Sequence, residues 1–156
     1  MRALAQSRVS ASDGHIVRVS QNGGSALRYE LRPEGIYRPD QGVWLLKAPV
    51  RVGASRPSAS GRTAHVVSVQ DRVEVPAGRF QGCVRVEERG GGDGRRITTV
   101  YCPDVGPVWV ESVVELPAAG RSVRVVARLL GYATSREDDA RSGDSPSRAS
   151  LPSAQR

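Results

Sequence analysis

Long apolar runs are missing from this sequence, and histidine and cysteine, the commonest side chains of zinc sites, are scarce. No stretch approaches the ~20 consecutive apolar residues that a membrane-spanning helix needs. There are one Phe, one Met, two Trp and two Cys in 156 residues. Two cysteines exclude a disulfide-dense scaffold, and with His15 and His65 they form no zinc-binding spacing. Lysine is nearly absent: among 23 basic residues only Lys47 is a lysine. The formal net charge of +7 suits nucleic acid or anionic surfaces. Against nucleic acid, the arginines are scattered singly along the chain, with no run longer than Arg95-Arg96.

What is present is valine, glycine, proline and alternation. Such a composition favours short strands joined by turns. The length suits one domain with a real core. We expect an all-β fold, a single curved antiparallel sheet built as an up-and-down meander or half-barrel. Residues 1–13 are polar and aperiodic and are expected to be a flexible N-terminus. The start, MRALAQSRVSASDG, lacks the apolar core of a secretory signal. Residues 14–132 form the expected β domain. Residues 133–156 carry little apolar surface to offset the entropy of ordering, so they are expected to be a disordered polar tail.

Along the domain, HIVRVS and ALRYELR alternate and are joined by QNGG, which predicts an antiparallel hairpin. Ile36-Tyr37 predicts a short further strand. VWLLKAPVRVG contains Pro49 and is expected at an edge or as a covering loop, with residues 54–63 a loop. Ala64 to Val75 predicts a long strand bent near Asp71, with Val67, Val69, Val73 and Val75 on one face. Four further strands follow, over Phe80–Arg89, Arg95–Cys102, Gly106–Leu116 and Arg121–Tyr132, the last two placing Val108, Val110 and Val125 on the face opposite Trp109.

A hairpin symmetric about Gly92-Asp93 sets Cys83 opposite Cys102, Val84 opposite Tyr101 and Val86 opposite Thr99. The apolar residues then share one face and both cysteines the other, and a one-residue slip would lose both matches. Opposed residues lie about 4.5 to 5.5 Å apart at Cα, within disulfide reach. A Cys83–Cys102 disulfide is expected. The alternatives are two reduced cysteines packed as small side chains, or a redox pair, for which the short C-x-x-C loop is lacking.

Few groups remain to carry chemistry. His15 and His65 fall on separate predicted strands. No serine sits in a G-x-S-x-G or S-x-x-K setting. Glu87 and Glu88 are strand neighbours that point to opposite faces and cannot share a proton. GGGDG lacks the Lys-Ser/Thr and the strand-to-helix setting of a phosphate loop, so it is expected to be a hairpin tip. No catalytic, metal-binding or cofactor-binding residue is assigned, and an enzyme is not expected. The last hairpin places Trp109 opposite Arg128 and beside Arg124. That trio is the candidate interaction patch, because Trp and Arg are enriched at binding hot spots.

The runs VPAGRFQGCVRV and TTVYCPDVGPV, with the closing LLGY, resemble the C-terminal half of uncharacterised bacterial envelope proteins and lipoproteins. The matching residues are Val75, Pro76, Ala77, Gly78, Phe80 and Cys83, then Tyr101, Pro103, Val105, Gly106 and Val108; the upstream LLKAPVRVG is also similar. The resemblance spans roughly residues 26–132. It implies a curved antiparallel sheet related in shape to the half-barrels of lipoprotein carriers, and a periplasmic or cell-envelope location. It transfers no activity. The expected role is structural or binding, toward an apolar ligand or a partner protein. The alternative is a cytoplasmic basic module that binds nucleic acid.

Overall fold

A computed structural model describes residues 3–11 and 14–133. Its strands are β1 (Ser7–Ala11), β2 (Ile16–Gln21), β3 (Leu27–Arg32), β4 (Gly35–Arg38), β5 (Val43–Lys47), β6 (Ser55–Pro57), β7 (Thr63–Val75), β8 (Gly78–Arg89), β9 (Arg95–Cys102), β10 (Gly106–Leu116) and β11 (Arg121–Arg128). No α-helix occurs among the described residues, only short 3-10 turns at Ala59–Gly61 and Pro117–Ala119. The fold is all-β and antiparallel, with every strand paired to its sequence neighbour except across β5 and β6.

That exception divides the strands into two sheets where the sequence suggests one. The first sheet runs β1-β2-β3-β4-β5 and the second β11-β10-β9-β8-β7-β6. The break falls where VWLLKAPVRVG leaves β5: Pro49 has no N–H to continue the ladder, and the chain crosses to pair β6 with β7. β5 is thereby the edge strand that Pro49 foretold.

Two other expectations are corrected, one at the front of the chain and one at residues 54–63. Residues 1–13 contain β1, whose backbone pairs antiparallel with β2 from Ser7 opposite Gln21 to Ala11 opposite Val17. Asn22 completes the attachment: its side-chain oxygen accepts from the Gln6 N–H at 2.8 Å, and its own N–H donates to the Gln6 carbonyl. The loop at 54–63 contains β6. The tail proposed for 133–156 lies outside the described residues beyond Ala133.

The two faces of the second sheet each carry a small core. On one, Ala64, Val66 and Val86 are buried, with Val84 and Tyr101 beside them and Leu46 and Ala54 arriving from the first-sheet side. On the other, Val75, Cys83, Val100, Cys102 and Val108 are buried against Phe80, Trp109 and Leu129. The chain after β11 helps to close that second core. The Ala77 N–H donates to the Leu129 carbonyl at 3.1 Å, and the Tyr132 ring lies 6.1 Å from that of Phe80.

Bulges decide which residues reach these cores. In β7 the register against β8 shifts three times between Val66 and Val73, so the strand bends near Asp71 as expected. The shifts also exchange its faces. Ala64 and Val66 are the buried residues of its first half, and Val67 is exposed, contrary to the uninterrupted alternation. In β10 a bulge between Pro107 and Trp109 sets two residues against one of β9. Val108 consequently packs in the same cluster as Trp109 rather than on the opposite face.

Candidate functional site

The hairpin of β8 and β9 has the register read from its glycine tip. Val84 faces Tyr101, Arg85 faces Val100 and Val86 faces Thr99. Cys83 and Cys102 are joined, with sulfurs 2.09 Å apart and Cα atoms 4.3 Å apart. Cys83 is 0% exposed and Cys102 5%, so the pair is sealed from solvent. The tip itself is occupied internally. Asp93 accepts from the Arg95 N–H at 3.1 Å and from the Arg62 guanidinium at 2.7 Å. These contacts, the main-chain one first, hold its carboxyl below the usual carboxylate range.

The register propagates into one row across the second sheet. Ser68 faces Arg85, Arg85 faces Val100, Val100 faces Trp109 and Trp109 faces Arg128. The next row on the same face runs His65, Glu87, Thr98, Glu111 and Val126. The row beyond it pairs Arg96 with Val113 and Val113 with Arg124. The structure therefore brings Trp109 and Arg128 together, as expected. Arg124 lies further along the same face of β11 and is ion-paired with Glu111.

Arg85 and Asp71 belong to this face and were not foreseen. The Arg85 guanidinium lies 5.5 Å from the centre of the Trp109 ring, and its Nε donates to Asp71 at 2.6 Å. The cation stacked on Trp109 is thus Arg85, whereas Arg128 remains without an ion-pair partner among the described residues. Arg85 shares the face of Cys83, so extending the hairpin register by one strand would have found it.

His65 stands across from Glu87 on β7 and β8, while His15 sits in the bend just ahead of β2. The structure does not bring the two histidines into one strand pair. No group of three His, Cys, Asp or Glu placed to hold a metal occurs among the described residues. Two open concavities are lined by Gln70, Arg72, Gln81 and Gly82, and by the hairpin-tip glycines with Arg89, Arg95 and Arg96. Neither has the apolar lining that a lipid-sized ligand needs.

On the opposite face, Arg56 and Tyr101 form the polar part of the contact between sheets. Arg56 Nε donates to the Trp44 carbonyl at 3.0 Å, and the guanidinium also reaches the Leu45 carbonyl. Burial lowers the Arg56 pKa. Burial, with Glu88 nearby, pushes the Tyr101 phenol up to about 12. No helix of the described chain is long and apolar enough to cross a membrane. No family model, curated protein or solved structure matches the chain.

Proposed function

We propose that this chain is a non-enzymatic domain of the bacterial cell envelope, working in the periplasm or at an envelope surface. It binds a partner protein through the face of the second sheet that carries Trp109, Arg124 and Arg128. The observation that carries the reading is the sealed Cys83–Cys102 pair beneath that face. Structural cystines persist in oxidising compartments and are rare in the cytosol.

A partner protein fits this face better than an apolar ligand does. The buried apolar side chains of the second sheet pack with each other, with Leu46 and with Leu129. What reaches solvent is a half-buried Trp109 among guanidinium groups, the composition of a protein hot spot. The exposed aliphatic Val126 of β11, two residues before Arg128, adjoins it on the same face. The competing reading, a cytoplasmic module on nucleic acid, requires the cysteines to be reduced in the cell.

The test uses cells that make the full-length protein, converted to spheroplasts and treated with protease. A photo-reactive residue at position 128 or, as a control, at position 72 reports the partner. The proposal expects cleavage in intact spheroplasts and cross-links from position 128 alone. Protection until lysis, or equal cross-linking from both positions, contradicts it.

A further inference from the structure

Among the described residues, one face of the first sheet gathers cations that lie far apart in the sequence. Ser10 of β1 faces Arg18, which places Arg8 on the same side. Arg18 in turn faces Arg28, and Arg32 and Lys47 both face Gly35. All five cations therefore lie on one side of the sheet, and all five are exposed. The only carboxylate in their rows is Glu30, and it is held between Arg28 at 3.1 Å and Arg32 at 2.7 Å.

The other side of the same sheet is apolar. Val19 faces Leu27, Val17 faces Tyr29, and Leu31 faces Ile36, which faces Leu46. Leu46 packs against the buried cluster of the second sheet. At the β5 end the basic face is consequently the outward one, while Val9 and Leu31 on the apolar side are exposed as well.

Two features mark it as a binding surface rather than a solvated one. Arg18 and Arg28 are directly opposed, and like charges at that spacing destabilise a sheet. An anion across them removes the penalty. The face also holds an aromatic pair, Tyr37 opposite Trp44, with ring centres 5.1 Å apart.

We infer that this face docks on an anionic phospholipid surface. Trp and Tyr flanked by Arg and Lys is the composition that settles at the headgroup level of a bilayer, and clustered cations are drawn to its negative potential. β5 leads into residues 48–53, where Val50 and Val52 are 38% and 62% exposed on either side of Arg51. Those aliphatics supply an apolar contact at the rim. Single-stranded nucleic acid is the weaker match. It stacks bases on open aromatic faces, and here Arg32 already lies 4.0 Å from the Tyr37 centre and Lys47 5.2 Å from that of Trp44. The inference concerns a different face from the protein-binding patch and does not depend on it.

The test is co-sedimentation of the full chain with vesicles of phosphatidylcholine alone or mixed with phosphatidylglycerol, at several salt concentrations. Binding is expected only to the anionic vesicles and falls as salt rises. Each cation near an anionic membrane contributes about fivefold in partition, so a double variant, Arg18→Gln with Arg28→Gln, is expected to bind about 25-fold more weakly. Its thermal midpoint should be unchanged or higher, because the opposed charges are gone. A charge-matched control, Arg121→Gln with Arg128→Gln, should bind as the parent does. Equal loss in both double variants would assign the effect to bulk charge and overturn the inference. So would binding to neutral vesicles, or a mobility shift with single-stranded DNA that the first variant abolishes while vesicle binding is absent.

Discussion

Arg56 on β6 donates its Nε hydrogen to the Trp44 carbonyl of β5 at 3.0 Å, so one side chain ties the edge of the first sheet to the second. The same guanidinium reaches the Leu45 carbonyl. Hydrogen bonds from a charged donor contribute about 1.5–3 kcal/mol, and removing the donor leaves its acceptors unsatisfied. Arg56→Ala is expected to lower the unfolding free energy by about 3 kcal/mol in urea titrations. Arg79→Ala, which loses an ion pair that is exposed on both sides, should change it by less than about 0.5 kcal/mol.

Tyr101 makes stability depend on alkaline pH. Its folded pKa is raised from 10.0 to about 12, so the folded protein holds this proton more tightly than the unfolded chain. The contribution is fully present below pH ~10 and is lost as pH rises toward about 12. A shift of this size corresponds to about 2–3 kcal/mol. Tyrosinate absorbance should show one late-titrating phenol, absent in Tyr101→Phe, whose stability should fall less steeply across that window.

The cystine closes a loop between residues 19 positions apart, which on the chain-entropy model is worth about 3 kcal/mol. Cys83→Ala with Cys102→Ala is expected to lose at least that much, since both sulfurs also fill the core. Equal denaturation midpoints for the parent and the double variant would remove the cystine from the list of stabilising features.

Gly35 and Gly92 should respond oppositely to alanine. A Cβ at Gly35 would stand 2.1 Å from the Leu46 carbonyl oxygen, and its φ of +144° is one that L side chains rarely adopt. Gly35→Ala is expected to separate β4 from β5 and cost more than about 3 kcal/mol. At Gly92 a Cβ meets nothing within 4 Å. Gly92→Ala should be neutral or stabilise by up to about 1 kcal/mol through the unfolded chain. Thermal unfolding of the two variants checks both expectations.

The hairpin around the cysteines was legible because three local signals coincide there: a glycine tip, period-two alternation, and two cysteines at matched distances from the tip. The last hairpin was legible for similar reasons, and it gave the Trp109–Arg128 pairing. The division into two sheets was not, since it depends on which strand edge the chain reaches after Pro49. Arg56 fastens that contact to main-chain carbonyls, which no side-chain pattern announces. The bulge at Val108 was hidden because Val108, Trp109 and Val110 are all apolar, so no polar residue marks the change of face. The basic face was missed for a simpler reason. A search for runs of arginine suits a helix tip or a tail, whereas a strand gathers cations at every second residue. Arg28 and Arg32 lie on one strand, and only the pairing register adds Arg8, Arg18 and Lys47.

The central claim is that this is a cystine-held domain of the cell envelope. The most direct measurement traps thiols in intact cells of the source organism with acid and an alkylating agent, then reads the masses of the peptides that contain Cys83 and Cys102. The account predicts that neither is alkylated until a reductant is added. Two alkylated cysteines without reductant would contradict it and return the chain to the cytoplasm.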